Sequence, residues 1–291
     1  MHTVSTIAVL GAGTMGRGIA HVAAQAGYAT RLFDLSAEAL AGARRAVERN
    51  LAKGVERGKV AAADAARALE LLSEHGELEP AVAGADLVVE AVPEDVALKV
   101  ETFRQVARHV ATDALFASNT SGLSITEIAA GSGRPQLFAG MHFFNPVHIM
   151  KLVELVRGLE TTDSTLAVLG EVSARMGKEV VVVREAPGFV TSRINALIGN
   201  EAFRMLEAGV ASPEDIDKAL RLGLNHPMGP FEMVDLVGLD VRLSILEYLH
   251  RTLGETYRPA NLLRQYVNAG RLGRKTGKGV YVYDPDGNRL G

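Results

Sequence analysis

Short β-branched and apolar runs alternate with longer helical patterns through the first two-thirds of the chain. The runs at 6–10 (TIAVL), 29–33 (ATRLF), 87–92 (LVVEAV) and 114–117 (ALFA) predict strands, as do 136–141 (QLFAGM), 152–156 (LVELV) and 179–183 (EVVVV). Between them, residues 14–26, 37–57, 61–71, 95–110 and 165–176 predict helices. Strands alternating with helices imply parallel pairing through crossover helices, which is a doubly wound α/β sheet. The pattern changes at Ala186-Pro187-Gly188. Beyond it the helical stretches are 189–207, 213–220, 230–251 and 260–269, and the next strand is at 280–283. Ser212-Pro213-Glu214-Asp215 marks a helix start, with Ser as cap, Pro at the first helical position and acids in the first turn. Two domains follow: 1–185 with the sheet, and 186–291, expected to be all-helical. So small a helical domain buries its apolar faces well against a second copy, and a homodimer is expected.

The 291 residues suit about two domains at roughly 100–200 residues each. Apolar residues make up 47% and charged residues 22%, which excludes wholesale disorder. A net charge of −3 argues against a nucleic-acid or membrane-surface binder, which carries a basic excess. The absence of cysteine excludes a disulfide framework, a thiol nucleophile and any thiolate metal site. It also suits a reducing cytoplasm. The first strand-like run starts so near the initial Met that no secretory leader is expected, and no apolar stretch reaches about 18 residues.

Three constellations carry chemistry. Gly11-Ala12-Gly13-Thr14-Met15-Gly16 follows one predicted strand and opens a helix, and Asp34 ends the next strand. That context is what a dinucleotide fingerprint requires. Gly11 allows the tight turn, Gly13 lets backbone approach a pyrophosphate, and Gly16 lets helix and strand pack closely. The helix N-terminus offers N–H groups to the phosphates, and Asp34 accepts from ribose hydroxyls while repelling a 2′-phosphate. The sheet domain is therefore expected to be of the Rossmann type and to bind NAD. Next, Ser118-Asn119-Thr120-Ser121 follows the ALFA strand, where ligands bind in open α/β sheets. It equally suits the approach to a helix cap, because Ser124 and Glu127 have capping-box spacing. Finally, His142 stands at the end of a strand, and Glu154 occupies the polar position of the apolar run LVELV. A carboxylate inside a buried strand is costly unless paired. A His–Glu pair relieves that cost, orients the imidazole and stabilises its protonated form for general acid–base work.

These residues resemble the NAD-dependent 3-hydroxyacyl-CoA dehydrogenase family. The likeness rests on GAGTMGRGIA at 11–20, VVEAVPEDVALK at 88–99, SNTS at 118–121 and HFFNPV at 142–147. It continues through MKLVELV at 150–156, APGFV at 186–190, HPMGPFEMVDLVGLD at 226–240 and GRKTGKGVYVY at 273–283. The resemblance implies oxidation of an (S)-3-hydroxyacyl-CoA to the 3-ketoacyl-CoA, and the reverse, with no metal. It implies His142 as general acid/base, Glu154 as its orienting partner and Ser121 at the substrate oxygen. Glu94, Lys99, Asn119, Ser121, Asn145 and Lys275 match cofactor-contacting positions. The second domain is implied to wall the substrate cleft and carry the dimer contact. One departure stands out: the family often has PGF, two residues and then Asn-Arg, where this chain has Ser192 before Arg193, shorter than Asn and without an amide. For CoA, the resemblance points to Asn50 and Arg57, with Lys53 and Lys59 beside them; the same pattern also fits a solvated helical face.

Two other readings compete. A dehydrogenase of free 3-hydroxy acids shares the two-domain plan but resembles a constellation with a catalytic Lys after the domain boundary, and 189–206 contains no Lys. A non-catalytic nucleotide-binding protein on the same scaffold would have no need of His142 and Glu154.

Overall fold

The computed structural model describes residues 3–290. The chain divides into two compact units, Met1–Ala186 and Pro187–Gly291. Among the described residues no helix is long and apolar enough to cross a membrane.

The first unit runs β1 (Thr6–Leu10), α1 (Thr14–Gln25), β2 (Ala29–Phe33), α2 (Ala37–Glu56), α3 (Ala62–Leu71), β3 (Leu72–His75) and α4 (Leu78–Val82). It continues with β4 (Leu87–Glu90), α5 (Val96–Val106), β5 (Leu115–Ser118), α6 (Ile125–Ser132), β6 (Phe138–Phe143), β7 (Leu152–Arg157), α7 (Asp163–Arg175) and β8 (Glu179–Arg184). Eight strands form one sheet in the order β3-β2-β1-β4-β5-β6-β7-β8. The order reverses between β1 and β4, so the carboxyl ends of those strands open a crevice at the switch point. β1 is apolar after Thr6, and β4 and β5 are apolar up to their last residues, as strands covered on both faces must be. Their core packs with Ile19, Ala20 and Ala23 of α1 and with Leu40 and Val47 of α2.

The expectation of parallel pairing throughout needs one correction: β6 and β7 are antiparallel. The loop 144–151 between them holds no helix, and a parallel return needs a crossover of about a dozen residues or more. Two further differences are local. The edge strand β3 (LSEH) is half-exposed and polar, so it lacks the apolar run that marks the others. β6 lies two residues later than expected because Pro135–Leu137 form a 3₁₀ turn, and His142 falls inside the strand.

The second unit contains α8 (Thr191–Glu207), α9 (Pro213–Gly223), α10 (Pro230–Val237), α11 (Leu239–Leu253) and α12 (Asn261–Asn268). The stretch expected as one helix at 230–251 breaks at Gly238, whose φ of +105° is not helical. Nor is the unit all-helical. A small antiparallel ribbon pairs β9 (Val282–Tyr283) with β10 (Arg289–Leu290). Its core holds Phe203, Phe231, Leu246, Leu249 and Leu263. Asp235, buried at the end of that core, accepts from the backbone N–H groups of Val280 and Tyr281 and from the Tyr283 hydroxyl, each within 2.9 Å. Asp217 likewise accepts from Phe231 N and the Tyr281 hydroxyl, both at 2.8 Å. These two acids tie the ribbon to the helices. Burial pushes both carboxyls above the usual range, and their hydrogen bonds pull the other way.

Candidate active site

At the β1–α1 turn, Gly11 has φ +98°, open to glycine at little cost. A Cβ on Gly16 would lie 1.7 Å from the Gly11 carbonyl oxygen, so helix and turn touch only because the side chain is absent. A Cβ on Gly13 would meet nothing within 4 Å. Gly13 caps α1 without a side-chain acceptor, which leaves the first-turn N–H groups of Thr14, Met15 and Gly16 for an anion. Asp34, just past β2, accepts from Ala12 N through Oδ2 at 2.8 Å and from Ser36 N through Oδ1 at 2.9 Å. The carboxylate is thereby locked against the glycine turn, with lone pairs remaining for hydroxyl donors. An open glycine facing an uncapped helix start, beside a fixed carboxylate, fits a dinucleotide.

Behind this turn the ends of β4 and β5 are joined by polar contacts. Lys99, on the first turn of α5, is 1% exposed, and its ammonium sits 2.6 Å from Glu90 Oε1 and 3.3 Å from Glu94 Oε2. It faces these acids from inside the protein. Glu94 accepts from the Thr120 hydroxyl at 2.6 Å and from Ser121 N at 3.0 Å. Asn119 donates its N–H to the Glu90 carbonyl, and its Oδ1 accepts from Phe143 N at 2.9 Å. The β5 end is therefore stitched to the residue beside His142.

His142 and Glu154 are register partners on β6 and β7, with Nδ1 2.8 Å from Oε2. They are 4% and 1% exposed. The contact with the carboxylate holds the imidazole in one orientation. The Phe144 ring lies 4.5 Å from the imidazole, centroid to centroid. Asn145 is exposed in the following loop, at a cis bond to Pro146.

Asn50 and Lys53 lie on the last turns of α2, Arg57 caps it, and Lys59 follows. The 3- and 4-residue spacing of Asn50, Lys53 and Arg57 places them on one stripe, and the three cations are exposed. Ser192 and Lys275 belong to the second unit. Ser192 is on the first turn of α8, and the Lys275 ammonium is 2.7 Å from Asp240 Oδ2.

Sequence reasoning passed over Glu90 and gave Ser118 no part of its own within the run 118–121; both are fully buried. Glu90 carried the same mark that singled out Glu154, a carboxylate within an apolar run.

The family model described as "3-hydroxyacyl-CoA dehydrogenase, NAD binding domain" matches residues 6–186, and that for the "3-hydroxyacyl-CoA dehydrogenase, C-terminal domain" matches 188–283. The chain belongs to the 3-hydroxyacyl-CoA dehydrogenase family. This family member is 45% identical over 282 residues to a protein of Bacillus subtilis (strain 168) named "Probable 3-hydroxybutyryl-CoA dehydrogenase", covering 97% of this chain and 98% of that one. It superposes on the crystal structure of an (S)-3-hydroxybutyryl-CoA dehydrogenase from Ralstonia eutropha with a TM-score of 0.93 at 43% identity, covering 97% of this chain and all of that one. A 3-hydroxyadipyl-CoA dehydrogenase of Escherichia coli (strain K12) is 42% identical, with 97% of this chain matching 59% of that protein. Like the family, this dehydrogenase is an NAD-dependent oxidoreductase of 3-hydroxyacyl-CoA.

Proposed function

We propose that the chain interconverts (S)-3-hydroxybutyryl-CoA and acetoacetyl-CoA, with His142 and Glu154 as the catalytic pair. The observation that carries this is the buried His142–Glu154 contact, 2.8 Å between Nδ1 and Oε2, in the same sheet as the dinucleotide turn, with β6 paired to β5. NAD supplies a hydride acceptor for C3 of the alcohol, and in the reduced form a hydride donor for the ketone. His142 removes the hydroxyl proton during oxidation and returns it to the carbonyl oxygen during reduction. Glu154 holds the ring in one orientation and balances the imidazolium charge. Ser121 donates to the substrate oxygen, and Glu94, Asn119, Asn145 and Lys275 line the cofactor. The stripe of Asn50 and Arg57 serves the CoA phosphates, and Ser192 replaces an amide donor with a hydroxyl. The four-carbon substrate is favoured by the high identity to proteins of that name over nearly the whole chain.

A homodimer in the cytoplasm is part of the same reading. The second unit carries exposed apolar side chains at Leu236, Val237 and Val241, which suit burial against another copy.

The test follows NADH absorbance with acetoacetyl-CoA, with longer 3-ketoacyl-CoA esters and with free acetoacetate. Turnover is expected to be fastest with acetoacetyl-CoA. Faster reduction of the free acid would overturn the CoA-ester reading, and no oxidation of NADH with any of them would indicate a binding protein.

A further inference from the structure

Glu90 is the last residue of β4, and it pairs in register with Ser118, the last residue of β5. It is 0% exposed. Its two carboxylate oxygens point to different elements. Oε1 accepts from Val92 N at 2.7 Å and from the Lys99 ammonium at 2.6 Å. Oε2 accepts from the Ser118 hydroxyl at 2.6 Å. From these contacts a ring closes. Lys99 reaches Glu94, Glu94 accepts from the Thr120 hydroxyl, Thr120 N donates to Ser118 Oγ at 3.3 Å, and Ser118 returns to Glu90. The free arm of the ring is the bond from Ser121 N to Glu94.

We propose that Glu90 is a positioning residue that holds the loops after β4 and β5 as one rigid edge, and so sets where Glu94 and Ser121 stand. The inference rests on the reading of those two residues as cofactor and substrate contacts. A strand end needs no charge to pack. Burying a carboxylate with an ammonium is weak support for stability, because both ions give up their water. What the pair supplies here is direction: its hydrogen bonds tie the loop after β4, the start of α5 and the end of β5, the segments that flank Glu94 and Ser121. An apolar replacement would fill the space and leave Glu94 and the Thr120–Ser121 segment without a common anchor.

Glu90→Gln keeps the volume and the oxygen facing Val92 but removes the charge, so the Lys99 ammonium turns to Glu94 and draws it from Thr120 and Ser121. A second variant, Glu90→Gln/Lys99→Met, removes both charges. The full-length chain is compared in three measurements: thermal midpoint, NADH titration by fluorescence, and kcat with KM for acetoacetyl-CoA. The single variant is expected to lose about 10- to 100-fold in kcat, the scale of a misplaced site, with KM changed less than about threefold and NADH binding weakened. In the double variant the midpoint should return toward wild type while kcat and NADH affinity stay low. Recovery of all three together would make the pair structural and overturn the proposal, as would a folded single variant with wild-type kcat and NADH affinity. Should neither charge variant fold, Ser118→Ala, which cuts one link of the ring, decides by the same readouts. A wild-type chain that leaves acetoacetyl-CoA unreduced would sink the proposed function, and the NADH titrations would still decide the role of Glu90.

Discussion

His142 and Glu154 stand opposite each other in the one antiparallel pairing of the large sheet, twelve residues apart in sequence and 2.8 Å apart in space. The facing depends on register, since a slip of one residue would turn one of them to the other side of the sheet. His142→Gln is expected to lower kcat by at least about 100-fold, within the range for general acid–base catalysis, with NADH affinity little changed. Glu154→Gln should also lower kcat while the chain stays folded. Because the pair acts as a unit, the double variant should lose far less than the product of the two single losses. Steady-state kcat for the three variants checks this; losses that simply multiply would exclude a coupled pair.

Asp34 is held by two backbone N–H groups beside the glycine turn. Its charge favours ribose hydroxyls and repels a 2′-phosphate, so the preference for NADH over NADPH should be of order 1–3 kcal/mol or more. Asp34→Asn should narrow that gap. Comparing kcat/KM for both cofactors measures it, and equal values in the wild type would refute the assignment.

Gly13 and Gly16 make a matched pair of substitutions. A methyl on Gly16 runs into the Gly11 carbonyl, whereas one on Gly13 enters open space. Gly16→Ala should therefore lower the thermal midpoint strongly. Gly13→Ala should keep it near wild type and weaken NADH binding, because its added carbon occupies the approach of the phosphates. Calorimetry with an NADH titration separates the two; unimpaired binding in Gly13→Ala would place the pyrophosphate elsewhere.

His21 is buried in α1, stacked on His148 at 5.4 Å, and neither of its ring nitrogens has a hydrogen-bond partner among the described residues. Burial, reinforced by the charges of His148 and Lys178, lowers its pKa from the usual 6.5 to about 4. The unfolded chain thus takes up this proton first. The contribution of a neutral His21 is complete above pH 6.5 and is lost as the pH falls toward 4, by about 3 kcal/mol at most. His21→Leu should flatten the acid limb of the stability curve between those pH values. Denaturant unfolding at pH 7 and pH 4.5 reads the difference, and an unchanged slope would show that His21 is not its source.

Leu236, 48% exposed on α10, belongs to the apolar patch assigned to the dimer contact. Leu236→Asp should shift sedimentation equilibrium toward monomer without lowering the yield of folded protein. A wild-type chain that sediments as a monomer at micromolar concentration would remove the dimer from the reading.

The dinucleotide turn was legible in the sequence because its requirements are local: three glycines at fixed spacing, a strand before, a helix after, and an acid closing the next strand. Glu154 could be singled out for a similar reason, since a carboxylate among buried apolar neighbours demands a partner wherever it occurs. His142 was the expected partner, but the geometry that joins the two is another matter. Sequence spacing does not state strand order or direction, and only the helix-free loop 144–151 turns β7 back along β6 and brings Glu154 to His142. The same limit hid Glu90. Its polar character was visible, but Lys99 and Ser118 reach it from α5 and β5, through a sheet whose neighbours are not neighbours in the chain. In the second unit, helical periodicity ran unbroken across Gly238, and a positive φ at that residue divides the stretch into two helices. Local chemistry, carried by residues a few positions apart, is written in the order of the amino acids. The pairing of buried charges and the direction of strands arise only when distant segments compete for the same core, and the tertiary structure decides them.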